Sequence, residues 1–86
     1  MPTISRFYGI VIQMYMGDHA PPHVHVRYQG MRAVLRIDDG EMIRGELPRR
    51  ALRMVREWMR LHREELMADW DRSSRNEPIL PIDPLP

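Results

Sequence analysis

Residues 23–37 read HVHVRYQGMRAVLRI, two stretches of alternating polar and apolar residues joined by Gln29-Gly30. Alternation with a period of two predicts β-strands, and a glycine between two such stretches predicts a tight hairpin. Successive side chains of a strand point to opposite faces of the sheet. In the first strand, one face is therefore expected to carry Val24, Val26 and Tyr28 and the other His23, His25 and Arg27. In the second strand, one face carries Met31, Ala33, Leu35 and Ile37 and the other Arg32, Val34 and Arg36. The pattern predicts one apolar face and one face that carries histidine and arginine.

The flanking segments extend this hairpin into a larger antiparallel sheet. Residues Ile4 to Met16 alternate well enough for one strand, in which Gly9 marks a bulge. The next segment, GDHAPP at residues 17–22, is predicted to be a loop because its two prolines cannot donate hydrogen bonds to a sheet. Beyond the hairpin, an Asp-Asp-Gly turn leads to a short strand over residues 41–44. We therefore expect a sheet of three or four strands.

A change of period from two to 3.6 at Leu47-Pro48 predicts one long helix, with Pro48 at its first position. An apolar stripe that can cover the apolar sheet face runs along this helix: Ala51, Leu52, Val55, Trp58, Met59, His62, Leu66 and Trp70. We interpret His62 as a core or boundary histidine that holds a hydrogen bond. The helical pattern fails from Arg72. The predicted fold is α+β, with a single domain over residues 1–75 and an extended proline-rich tail over residues 76–86.

The composition limits what a chain of 86 residues can be. It contains no cysteine, so neither disulfides nor a thiolate zinc site can hold the fold. All 13 basic residues are arginine and the formal net charge is +1, a balance that permits nucleic-acid binding without requiring it. The first residues lack the pattern of a signal peptide, and no apolar run is long enough for a bilayer. We therefore expect a small soluble, cytoplasmic protein without a deep substrate cavity.

The segment DHAPPHVHVRY at residues 18–28 concentrates groups that can move protons or contact phosphate. Histidine changes its charge near neutral pH, and arginine binds phosphate with a planar fork. RNA cleavage needs a base, an acid and a cation beside the phosphorus atom. The candidate catalytic residues are His19, His23, His25, Arg27 and, from a neighbouring strand, Tyr15. The same side chains also suit RNA binding without cleavage.

A metal site is an alternative use of the three histidines. His19, His23 and His25 would have to converge on one ion, with Asp18 or water as the fourth ligand. The Pro-Pro loop separates His19 from the other two histidines, and cysteine is absent. We therefore predict no metal and no other cofactor.

A second basic feature lies on the predicted helix. Arginines recur there at spacings of four, three, four and three, and we call them the helix ridge: Arg49, Arg53, Arg56, Arg60 and Arg63. Together with Arg32 and Arg36 of the sheet, the helix ridge is a candidate nucleic-acid interface. A solvated surface is the usual meaning of such a charged helix face. A third interpretation is that the sheet face and the helix ridge bind an acidic or apolar protein partner.

The chain also resembles a known family. Its opening MPTISRFYGI, the segment DHAPPHVHV, the turn DDG and the run GELPRRALRMVREWMRLHREEL are similar to the small bacterial family called domain of unknown function 4160. The resemblance extends from Met1 to about Trp70. It implies a gene next to that of another small protein, as in a toxin–antitoxin pair in which this chain is the toxin. The family pattern points to Asp18, His19, Pro22, His23 and His25 in the strand region and to Trp58, His62 and Trp70 in the helix.

Two functions are expected on these grounds. The first is a toxin-like protein that acts on or binds RNA through its histidine and arginine face, with metal-independent ribonuclease activity as one form of that action. A cognate small antitoxin-like protein is then its partner. The alternative is a non-enzymatic regulator or adaptor that binds protein or nucleic acid. Self-association of the chain is compatible with both, and a membrane partner is not expected.

Overall fold

The computed structural model describes residues 2–86. Five strands form one antiparallel sheet in chain order: β1 (Thr3–Phe7), β2 (Ile10–Gln13), β3 (His23–Tyr28), β4 (Met31–Arg36) and β5 (Met42–Gly45). Two helices, α1 (Arg49–Leu61) and α2 (Arg63–Ser74), follow the sheet and contribute buried side chains to the same core. The predicted α+β class is therefore confirmed. The predicted three or four strands and single helix are wrong in number.

The additional strand arises from a hairpin at Tyr8-Gly9. Both residues have positive φ, 50° for Tyr8 and 79° for Gly9, and such a pair forms the two-residue turn that matches the twist of antiparallel strands. Phe7 pairs with Ile10 directly across this turn. The single strand predicted over residues 4–16 is therefore two strands, β1 and β2. Gly9 marks a turn instead of a bulge.

The predicted division of the sheet into two faces is confirmed. The apolar face is buried in the core, as the low exposure of its members shows: Val24, Val26, Ala33, Leu35 and Ile37. The opposite side, which we call the open face, is defined by the strand pairing and carries Arg6, Val11, His25, Arg27, Arg32, Val34 and Arg44. These residues form two rows across the strands, one from Arg6 through Val11 and Arg27 to Arg32, the other from His25 through Val34 to Arg44.

The predicted long helix is interrupted at His62, whose φ of −118° and ψ of 24° are not helical. The Nδ1 atom of His62 lies 2.6 Å from Glu65 Oε1, so this histidine does form a hydrogen bond. Beyond the interruption, Leu66 and Trp70 are buried in the core as the apolar stripe predicts. α1 begins one residue later than predicted, because Pro48 is still extended. Within residues 2–86, neither helix combines the length and the apolar content needed to cross a membrane.

The proline-rich tail packs against its own chain. The backbone N–H of Ile82 donates to the carbonyl oxygen of Ile4 at 2.8 Å, beside the edge strand β1. The indole Nε1 of Trp58 donates to the carbonyl oxygen of Asp83 at 2.7 Å. The side chains of Ile82 and Leu85 are buried in the core. These contacts make the tail a part of the folded unit.

Candidate functional site

Asp18 lies at the centre of a group of side chains at the start of β3. Its Oδ2 atom is 2.8 Å from Nε2 of His23 and also 2.8 Å from Nε2 of His25. Its other carboxylate oxygen, Oδ1, accepts the backbone N–H of His19 at 2.9 Å. One carboxylate therefore joins two histidines of β3 to the preceding loop. We call Asp18, His23 and His25 the Asp–His cluster.

His23 is held on both sides of its ring. Its Nδ1 atom lies 2.7 Å from the carbonyl oxygen of Pro21, and because a carbonyl oxygen can only accept, Nδ1 carries the hydrogen. The peptide between Ala20 and Pro21 is cis. The ring packs against the indole of Trp70, with 5.1 Å between the ring centroids, and only 8% of the residue is exposed. His23 is thus fixed in orientation and scarcely reached by solvent.

His25 is the more accessible histidine of the cluster. Because it follows His23 by two residues along β3, both rings lie on the same side of the sheet, with their centroids 5.0 Å apart. The His25 ring stacks on Tyr15 at 4.0 Å with an angle of 19° between the planes. Its side chain is 23% exposed. A bound molecule can therefore contact His25 at the surface.

The charge of Asp18 follows from its neighbours. Burial raises the pKa of this carboxyl group, but hydrogen bonds from the His25 ring and from the His19 backbone lower it. A further hydrogen bond and the charge of His23 act in the same direction, so the pKa of Asp18 lies below its ordinary value. The carboxylate is therefore ionised at neutral pH and places a negative charge between two imidazoles.

Two surface cavities share His25, Val34 and Arg44 in their lining. The first, of about 250 Å³, lies over the Asp–His cluster and is also bordered by His19 and Ile43. The second, of about 370 Å³, is a groove on the open face. Its polar and aromatic lining consists of Tyr15, His25, Arg27, Arg32 and Arg44. His25 thus connects the cluster with the arginine-lined groove.

The predicted catalytic residues are partly brought together. Tyr15, His23 and His25 form one contiguous group, and Arg27 lies in the adjoining groove. His19 is exposed and borders the smaller cavity, and its backbone N–H is the part that contacts Asp18.

The predicted sheet arginines have different surroundings. Arg32 is exposed on the open face and lines the groove. Arg36 is instead occupied by three carboxylates of the β4–β5 turn, Asp38 at 3.2 Å, Asp39 at 2.5 Å and Glu41 at 3.0 Å. Its positive charge is therefore already neutralised within the chain.

The helix ridge lies on the exposed side of the helices, away from the core. This placement follows because α1 turns its buried residues toward the core: Ala51, Val55, Trp58 and Met59. Four ridge arginines line one shallow groove: Arg49, Arg53, Arg56 and Arg60. The fifth, Arg63, belongs to α2. Arg56 Nε also donates to the carbonyl oxygen of Gly40 at 2.9 Å. The ridge and the open face are therefore on opposite sides of the molecule.

Two arginines of the open face, Arg6 and Arg44, are not among the site residues predicted from the sequence. The unrecognised turn at residues 8–9 folds Arg6 into the row of Arg27 and Arg32. Arg44 pairs with Val34, and alternation along the predicted fourth strand was the available signal for it. Sequence spacing gives no comparable signal for the central position of the Asp18 carboxylate.

Comparison with known proteins supports one assignment. The family model described as domain of unknown function (DUF4160) matches residues 9–71, a range that includes β2 to β5, the Asp–His cluster and α1. No curated protein and no solved structure matches the chain. Because the family model covers most of the sequence, the resemblance found from the motifs is confirmed, and the chain belongs to the family called domain of unknown function 4160.

Proposed function

We propose that this protein is toxin-like and binds RNA through the open face of its sheet. The observation that carries the proposal is a set of exposed arginines with no acidic partner. Within residues 2–86, no carboxylate oxygen lies within 4.0 Å of a guanidinium nitrogen of Arg6, Arg27, Arg32 or Arg44. This concentration of unneutralised positive charge supports a polyanionic ligand.

The pairing of Arg27 with Arg32 strengthens the case for phosphate. The two residues are directly opposite each other on β3 and β4. Such pairs have Cβ atoms about 5 Å apart, and like charges at that position destabilise a sheet. A phosphate group between them offsets the repulsion, and each guanidinium can offer it two parallel hydrogen bonds. Arg36, two rows away, has three carboxylates instead and needs no external anion.

The aromatic lining of the groove favours RNA over a simple phosphate compound. Tyr15 and His25 stack on each other beside the arginines, and unpaired bases of RNA stack readily on aromatic rings and guanidinium planes. The groove is an open surface, which suits a strand that passes across the sheet. His25 is the accessible side chain beside the bound phosphate, so we assign to it any acid–base step in RNA cleavage.

Binding of labelled single-stranded RNA at several salt concentrations, in the presence of a chelator, tests the proposal. The double variant Arg27→Gln, Arg32→Gln is compared with Arg49→Gln, Arg53→Gln on the helix ridge, which removes the same charge. If two phosphate contacts are lost, the slope of log affinity against log salt falls in magnitude by about 1.4 in the open-face variant only. Weakening by the ridge variant alone would support the adaptor interpretation, and no binding by the wild type would refute the proposal.

The toxin-like role is tested by induced expression in bacteria. We expect the wild type and the ridge variant to arrest growth, the open-face variant to permit it, and co-expression of the neighbouring small protein to relieve the arrest. Incubation of RNA with the purified chain, with and without chelator, separates cleavage from binding. Fragments that persist in chelator and disappear with His25→Ala would establish metal-independent cleavage. Growth arrest of equal strength by all variants would contradict a role for the open face.

A further inference from the structure

We propose that the Asp–His cluster binds one divalent transition-metal ion of the zinc type through Asp18 Oδ2, His23 Nε2 and His25 Nε2. These three atoms lie within 4.8 Å of one another. Two imidazole nitrogens and one carboxylate oxygen suit zinc and its first-row neighbours, whereas calcium and magnesium prefer ligand sets made of oxygen alone. The sequence-based prediction of no metal considered His19, His23 and His25 as ligands, with Asp18 or water as the fourth, whereas the ligand set proposed here includes Asp18 and does not need His19.

The hydrogen positions leave room for a cation in the cluster. Nδ1 of His23 carries the hydrogen that it donates to the Pro21 carbonyl oxygen at 2.7 Å. In a neutral ring, Nε2 of His23 then has a lone pair and no hydrogen, yet it lies 2.8 Å from Asp18 Oδ2. Two acceptors at this separation repel each other unless positive charge lies between them. A proton on the ring or a metal ion can supply that charge, and the metal ion alone accepts lone pairs from both histidines and the carboxylate together.

The surroundings of the two histidines resemble those of metal ligands. A histidine that binds metal through one ring nitrogen usually donates its other N–H to a carbonyl or carboxylate oxygen, which is the role of Pro21 toward His23. Trp70 packs on the His23 ring and Tyr15 stacks on the His25 ring, so both rings are held in place. Tetrahedral ligands at about 2.0–2.1 Å from zinc are about 3.3 Å apart, so each of the two 2.8 Å contacts between Asp18 and a histidine has to lengthen by about half an ångström.

One side of the cluster remains available to solvent. The side chains of Asp18 and His25 are 22% and 23% exposed, and both border the cavity of about 250 Å³. Three protein ligands with water in the remaining position are typical of reactive zinc sites, whereas structural sites use four protein ligands. Because His25 also lines the arginine groove, the bound water would lie next to that groove. The metal site does not depend on RNA binding, and the acid–base role assigned to His25 applies to the metal-free protein, because a metal-bound imidazole nitrogen cannot exchange a proton.

Titration of the chelator-treated full-length protein with Co²⁺, followed by displacement with Zn²⁺, tests this inference. Visible absorption of bound Co²⁺ reports nitrogen and oxygen coordination, and isothermal titration gives the number of ions per chain. We expect one ion per chain in the wild type and in His19→Ala, the control that removes the nearest other histidine. Asp18→Asn and His25→Ala should each weaken binding by at least about tenfold. Zn²⁺ should raise the melting temperature of the wild type and of His19→Ala only.

Thermal melting of the metal-free variants shows whether they are folded. Asp18→Asn preserves the shape of the side chain, so it still tests the metal site if His25→Ala does not fold. The inference is overturned if the wild type binds no stoichiometric ion, if none of the ligand variants loses affinity, or if His19→Ala loses as much as they do. RNA binding of the open-face arginine variants is measured in chelator, so failure of the metal site and failure of the RNA proposal are distinguishable.

Discussion

At the scale of single residues, Gly45 has a backbone position that no other amino acid can occupy without displacement of the sheet. Its φ is +82°, and a Cβ atom there would lie 2.1 Å from the carbonyl oxygen of Arg32 and 2.8 Å from Cα of Ala33. Both contacts are with backbone, which cannot rotate away. We expect Gly45→Ala to lower the free energy of unfolding by about 3 kcal/mol, measured by urea denaturation, because it adds steric overlap to the cost of positive φ.

Gly30 provides a matched control for that prediction. Its φ is +79°, almost the same as that of Gly45, but a Cβ atom at Gly30 would meet nothing within 4 Å. Gly30→Ala therefore retains only the conformational cost of about 1–2 kcal/mol. Equal losses in the two variants would show that the close approach of β4 to Gly45 has no energetic consequence.

At the scale of elements, the β1–β2 hairpin has a turn sequence that does not match its conformation well. Tyr8 is 61% exposed and has a φ of 50°, a region that side chains other than Asn, Asp and Gly seldom adopt. Asn-Gly is the preferred pair for this turn. We expect Tyr8→Asn to stabilise the protein by about 0.5–1 kcal/mol in urea denaturation. Gln29→Asn, at the equivalent position of the β3–β4 turn with φ 47°, should have a similar effect. Destabilisation by both would contradict this account.

The same turn explains why the sequence pattern predicts too few strands. A tyrosine before Gly9 gives little indication of a turn, whereas the continued alternation on both sides indicates one strand. The helix interruption had a clearer signal in the run RLHREE at residues 60–65. A basic residue at the end of one helix and acidic residues at the start of the next both favour a boundary, since they match the helix dipoles. The apolar stripe continues through the boundary and conceals it.

At the scale of the whole molecule, the sequence predicts the face of a strand on which a side chain lies better than it predicts which side chains from different segments come into contact. Alternation over residues 23–37 correctly places the histidines and arginines on one face, because strand periodicity is a local property. The position of the Asp18 carboxylate depends on how the loop at residues 17–22 returns to β3, which no periodicity specifies. To predict that the helix ridge and the open face lie on opposite sides, one likewise has to know which side of the sheet α1 covers. The sequence therefore predicts the face on which the site residues lie, but not the contacts that bring Asp18 to the histidines.

The tail joins both layers of the molecule, and its contribution to stability is the last prediction. Ile82 is 6% exposed beside Ile4 of β1, whereas Leu80, two residues earlier, is 51% exposed. We expect Ile82→Ala to cost about 2–4 kcal/mol of unfolding free energy, because it removes buried methyl groups and leaves a cavity. Leu80→Ala preserves the backbone hydrogen bond to Asp69 and should change stability by about 0.5 kcal/mol or less. Urea denaturation of both variants measures the difference. Small, equal effects would mean that the tail leaves the core in solution, in which case its apolar side chains are available to a partner instead.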